Sequence, residues 1–220
     1  MTAEHVVGRV LRAAADGRFP LDDGGWERVP PWRPGVEGVV ALTGHAYLAV
    51  GDDVPAARLA TLGADGIGGA HDPRLVAALA GTGQVDCLDA VLAAGGRGGP
   101  SGLVPRPDLD DHPRVAHARR FRTDVTAYGV PPDAGPGGDV HAVVSLGRGI
   151  GGLWELGLEV DAGGRRPGHA VWLASQVRRL VPVGEPVLAS TAPGNTRALK
   201  VFLAAGFVPV ASVQVWRPQR

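Results

Sequence analysis

Lysine is nearly missing from this 220-residue chain: Lys200 is the sole example among 22 basic residues, so arginine carries the positive charge. The acids also number 22, giving a formal net charge of zero, which excludes a polybasic nucleic-acid binder. Cysteine occurs once, at Cys87. No disulfide framework and no cysteine metal site can form within the chain, and the apolar surroundings of Cys87 predict a buried, reduced thiol. Long apolar runs are missing too, since none approaches the ~18 residues of a membrane span. The first nineteen residues carry Glu4, Arg9, Arg12, Asp16 and Arg18, so they lack the uncharged core of a secretion signal. A cytoplasmic protein without a membrane partner is expected. His45, His71, His112, His117, His141 and His169 are scattered without the i, i+4 spacing of a helical metal site, and no metal is expected.

What is present describes a folded domain. Hydrophobic residues make up 45% of the chain and charged residues 20%, enough to build a core. The 34 glycines and 19 prolines follow no period and act as punctuation. Helical spacing of Val6, Val7, Val10, Leu11 and Ala14 predicts a helix over 4–16, ended by Gly17. Residues 19–35, with four prolines, read as loop, and 36–50 as a hairpin turning at Thr43-Gly44. Three short helices are predicted over 54–62, 73–80 and 87–94. Residues 95–113 hold five glycines and four prolines and read as a linker, placing a boundary between an N-terminal lobe, 1–104, and a second domain, 105–220. Arg119, Arg120 and Arg122 beside it read as a solvated basic face.

The second domain is expected to run strand 123–130, strand 139–146, strand 153–160, helix 169–180, strand 186–190, helix 195–205, strand 207–216. Its first three strands make an antiparallel meander. Asn195 and Gly206 sit where the last helix needs an N-cap and a left-handed stop. Gly147-x-Gly149-x-x-Gly152 fits a dinucleotide fingerprint literally, but it joins two strands and is read as a turn. Both halves begin with extended segments and end in helices, as a drifted duplication would.

The segment Leu156 to Ala170 passes from a strand through a glycine and arginine turn into a helix. Such a helix start leaves backbone N–H groups unpaired and carries partial positive charge, so it attracts a pyrophosphate. Arg165 and Arg166 add charge, while Gly168 and Ala170 let a phosphate approach the backbone. Here the segment resembles the GCN5-related N-acetyltransferases, whose coenzyme A loop reads Arg/Gln-x-x-Gly-x-Gly/Ala; Arg165, Gly168 and Ala170 fill the fixed places. The stretch from Asn195 to Phe207 is similar to the later helix of that family, with Asn195 opening it, Phe202 seven residues on and Gly206-Phe207 closing it. The resemblance covers about residues 115–220.

What the resemblance implies is an α/β protein with the acyl-CoA N-acyltransferase fold, a mixed, mostly antiparallel sheet flanked by helices, preceded by a smaller α/β lobe that resembles a degenerate sister domain. It implies acetyl-CoA as cosubstrate, bound in an opening between strands 153–160 and 186–190. Leu158 and Val160 would pair with its pantetheine, and Arg165, Arg166, Gly168, His169, Ala170, Asn195 and Phe202 would line its site. The activity implied is acyl transfer to an amine, whose proton passes to a carboxylate or histidine. Phe202 departs from the family, which commonly carries a tyrosine there to protonate the leaving thiolate. The base is open: positions 154 and 156 hold Trp and Leu, Glu155 and Glu159 fall on the alternate face, and His45 and His141 lie on hairpins. A decayed acyl-CoA-binding regulatory module is the alternative, and a nucleotide-binding protein of another fold is a third. Composition does not choose among a small-molecule amine, an antibiotic, an amino acid and a protein or peptide N-terminus, and it leaves a homodimer open.

Overall fold

The computed structural model describes residues 4–131, 142–163 and 166–220. In chain order the helices are α1 (Val6–Ala15), α2 (Ala56–Thr61), α3 (Pro73–Ala80), α4 (Pro113–Phe121), α5 (His169–Leu180) and α6 (Thr196–Ala204). The strands are β1 (Trp26–Val29), β2 (Glu37–Leu42), β3 (His45–Ala49), β4 (Gln84–Val85), β5 (Asp89–Gly95), β6 (Val104–Pro105), β7 (Thr123–Gly129), β8 (Ala142–Arg148), β9 (Trp154–Val160), β10 (Pro186–Thr191) and β11 (Val208–Arg217). The chain is an α/β protein of mixed β-sheet flanked by helices. It divides into two compact units, Met1–Val91 with Pro209–Arg220, and Leu92–Val208. The expected boundary at 104/105 therefore differs from the observed division, and the last strand returns to the first unit.

In the first unit β1 runs parallel to β3, which forms the expected hairpin with β2, and β11 lies antiparallel to β2. Thr43 and Gly44, both at positive φ, make the turn. Val39, Leu48, Leu59, Leu75, Leu79 and Trp216 are fully or nearly fully buried in one cluster beneath the helices. Trp216 also donates its indole N–H to Glu37 at 3.1 Å, and Glu37 is paired with Arg220 at 2.7 Å, so the buried carboxylate is satisfied. His45 lies in this unit with Nδ1 2.8 Å from Asp23 Oδ1. His71 Nε2 meets Ser212 Oγ at 2.8 Å, and burial pushes the His71 pKa down to about 4.

The second unit holds strands in the order β5-β10-β9-β8-β7-β6. Pairs β6–β7, β7–β8 and β8–β9 are antiparallel and β9–β10 is parallel, which is the mixed, mostly antiparallel sheet expected. Alternation divides the two faces. Val144, Leu146 and Leu156 join Leu173, Val177 and Phe202 under α5 and α6, whereas Val143 joins Val115 of α4.

Several sequence expectations are corrected. Residues 87–94 are not a helix: Asp89–Gly95 is strand β5, with Val91, Leu92 and Ala93 buried in succession. Its run of Ala, Val and Leu is short enough to satisfy a strand buried on both faces. Cys87 is exposed, outside any core, and its thiol is pushed up to about 12 by partial desolvation and by its contact with the Asp89 carboxylate. The loop 19–35 contains β1. The stretch 95–113 is anchored: Arg106 is only 5% exposed, its guanidinium bonded to Asp108 and to the Val130 carbonyl, and Leu103 and Leu109 are buried. The basic segment 119–122 is not wholly solvated, since Arg122, its side chain 11% exposed, is paired with Glu155.

Candidate functional site

Strand β9 pairs with β8 along its whole length, from Trp154↔Arg148 to Val160↔Ala142. With β10 it pairs at only three positions, Trp154, Glu155 and Leu156. Residues Gly157 to Val160 thus run on past the last β10 partner, and an opening forms there. A cavity of about 590 Å³ occupies it, within the ~300–1,000 Å³ of small-molecule sites.

Its walls bring together nearly all of the expected coenzyme residues. Leu158, Glu159 and Val160 come from β9. Arg166, Gly168, His169 and Ala170 come from the approach and first turn of α5, and Asn195 and Phe202 from α6. Arg165 and His141 lie outside the described residues. Arg114 of α4 and Arg197 of α6 also line the cavity and were not singled out in the sequence. Arg197 follows the capping Asn195, whose Oδ1 accepts the Ala198 N–H at 3.2 Å.

The start of α5 leaves backbone donors uncapped. Gly168 is its N-cap residue, left-handed at φ 77°, and offers no side-chain cap. A Cβ there would meet nothing within 4 Å, so glycine is required first by its backbone angle. The His169 N–H donates to the Arg166 carbonyl at 3.1 Å and the Trp172 N–H to that of Gly168 at 2.8 Å. Among the described residues the N–H groups of Ala170 and Val171 find no backbone acceptor. They face the situation of any helix start, where a negative oxygen is the natural partner.

The two carboxylates part company. Glu155 is 7% exposed, held by Arg122 at 2.6 Å and accepting the Ile150 N–H at 3.2 Å. It is consumed in an internal pair and does not line the cavity. Gly157 leaves room for this network, because a Cβ there would press on Ser145 Oγ at 2.6 Å and on the arginines of α4 and its C-terminal cap. Glu159, on the same face of β9, lines the cavity and meets Arg114 Nε at 3.4 Å, the two side chains being 46% and 40% exposed. Phe202 is 5% exposed and packs against Phe207 with ring centroids 5.6 Å apart, so no hydroxyl stands at that corner. Trp154 bears Arg148 over its ring at 3.8 Å. Among the described residues no cluster of three or more metal-ligating side chains occurs, and no helix is long and apolar enough to cross a membrane.

Neither a protein-family model nor a curated protein matches the sequence. Among solved structures the chain is similar to one described as an acetyltransferase of the GNAT family from Novosphingobium aromaticivorans, at 17% identity and a TM-score of 0.40, over 64% of this chain and 69% of that one. It is also similar to a GCN5-related N-acetyltransferase from Kribbella flavida, at 15% identity and a TM-score of 0.39, over 66% of this chain and 63% of that one. A third likeness is to a conserved protein of unknown function from Staphylococcus epidermidis, at 13% identity and a TM-score of 0.40, over 68% of each chain.

Proposed function

We propose that the protein binds acetyl-CoA in the opening between β9 and β10 and transfers its acyl group to an amine. The observation that carries this reading is the pair of N–H groups at Ala170 and Val171 that find no backbone acceptor among the described residues, set in a cavity that also takes in the end of β9 beyond its last β10 partner. The residues fit the coenzyme. Those N–H groups, with Arg166 and Arg197 on the same wall, would hold the pyrophosphate. Backbone groups of Leu158 and Val160, past the last β10 pair, would take the pantetheine amides as an added strand does. When bound, the thioester supplies an activated acyl carbon.

The chain's own contribution is positioning and proton management. Glu159 is the carboxylate within the cavity and would accept the proton an ammonium must lose before its nitrogen can attack. Glu155 is held by Arg122 and would serve the frame of β9 instead. Phe202 offers no proton, so water would protonate the departing thiolate, whose pKa near ~8.5 makes it a fair leaving group unaided. The sealed Glu155 and the missing hydroxyl favour a second reading, an acyl-CoA-binding module without turnover. Thiol release from acetyl-CoA, measured across a panel of amines, separates the two: acceleration by an amine supports transfer, and binding without release supports the module.

A further inference from the structure

The cavity has two chemically different walls. One carries Arg166, Arg197 and the start of α5, with no carboxylate among them. The other carries Arg114 and Glu159, a cation and an anion side by side. Their pairing is loose: Arg114 Nε reaches Glu159 Oε2 at 3.4 Å, at the edge of hydrogen-bonding distance. Among the described residues neither Nη of Arg114 and neither bond-accepting side of Glu159 Oε1 has a protein partner. An arginine fork that lines a cavity with its end nitrogens uncommitted is suited to two-point capture of a carboxylate. Next to it, a half-exposed carboxylate is suited to an ammonium.

We propose that this second wall selects a free α-amino acid as acyl acceptor, Arg114 taking its carboxylate and Glu159 its ammonium. The inference rests on the reading above, which uses Glu159 as the proton acceptor and gives Arg114 no role. In a free amino acid the two charged groups sit on one carbon, so a single small ligand can bridge a side-by-side Arg–Glu pair. A peptide N-terminus or a simple amine brings the ammonium alone and leaves the fork unpaired. Glu159 accepts one proton from the ammonium, and the neutral nitrogen then forms the new C–N bond as the C–S bond breaks. The electron pair of that bond leaves on sulfur, the second nitrogen proton is shed to solvent, and the thiolate takes a proton from water. The products are the N-acyl amino acid and free coenzyme A, with one proton released overall.

The test compares kcat/KM for common L-amino acids, their amides and the corresponding decarboxylated amines, read by thiol release, with acetyl-CoA affinity measured separately by calorimetry. The wild type is expected to prefer at least one free amino acid over its amide by tenfold or more. Arg114→Met should erase that preference by raising KM for the free acids at least tenfold; Arg114→Lys, which keeps the charge but not the fork, should fall between. Equal use of amides and acids would overturn the proposal. So would an Arg114→Met variant that weakens acetyl-CoA instead, or a wild type that binds acetyl-CoA and acylates no amino acid. A wild type that binds no acetyl-CoA fails the coenzyme reading itself, before any acceptor is added.

Discussion

Replacing Ala170 by glutamate sets folding and ligand binding against each other at one position. Ala170 lies in the first turn of α5, where its side chain is partly exposed and its N–H lacks a backbone acceptor. For the fold the change is nearly neutral. Glutamate gives up a few tenths of a kcal/mol of helix propensity relative to alanine and gains about 0.3–1 kcal/mol from a negative charge at the helix start. For a bound pyrophosphate it is severe. Two like charges about 5 Å apart at an effective dielectric of ~20 repel by about 3 kcal/mol, and the new carboxylate competes for the N–H groups the phosphate needs. Even with salt screening halving that figure, acetyl-CoA affinity should fall about tenfold or more. The assay is calorimetric titration with acetyl-CoA beside a thermal melt. An unchanged melting temperature with weakened binding is the expected pair of results. Undiminished affinity in a folded Ala170→Glu protein would refute the assignment of the α5 start as the anion site.

Other outcomes follow from the same geometry. Phe202→Tyr should change any transfer rate less than about tenfold, because the thiolate leaves without help; a gain of several hundredfold in a turnover assay would mark the natural protein as decayed. Glu155→Ala should cost about 3–5 kcal/mol in urea unfolding, since it strands Arg122 in a buried site, whereas Glu159→Ala, which breaks an exposed pair, should cost less than about 1 kcal/mol. His71 titrates near 4 when folded and near ~6.5 when unfolded, so the unfolded chain binds the proton first as pH falls. Its contribution is fully present above pH ~6.5 and is lost toward pH ~4, by about 3 kcal/mol at most; His71→Asn should flatten that part of the stability-versus-pH curve.

The parts of this arrangement that sequence reveals are those written in adjacent residues. Helix α5 was legible to the residue, because Gly168 permits the left-handed cap that a strand-to-helix turn demands, and the hairpin β2–β3 was legible from Thr43-Gly44. Helix α4 was not, although Pro113 at its first position and Val115, Ala118 and Phe121 at three-residue steps were signals that the surrounding arginines masked. Strand β5 was mistaken for a helix because a short Ala, Val and Leu run fits either. The fates of Glu155 and Glu159 could not be read from spacing. Both face α4, and what separates them is which arginine each meets, 33 and 45 residues away along the chain. Neither pairing leaves a local pattern. Arg114 and Arg197 escaped for the same reason, their role at the cavity being set by the placement of α4 and α6.

The central claim is that acetyl-CoA docks on the start of α5 and the open end of β9. Residue-resolved amide hydrogen exchange, with and without acetyl-CoA, addresses it directly, because unpaired N–H groups exchange quickly until a ligand covers them. Protection gained at Ala170 and Val171, together with one or more of Gly157 to Val160, is the predicted result. No protection at α5, or protection confined to the first unit, would contradict the account.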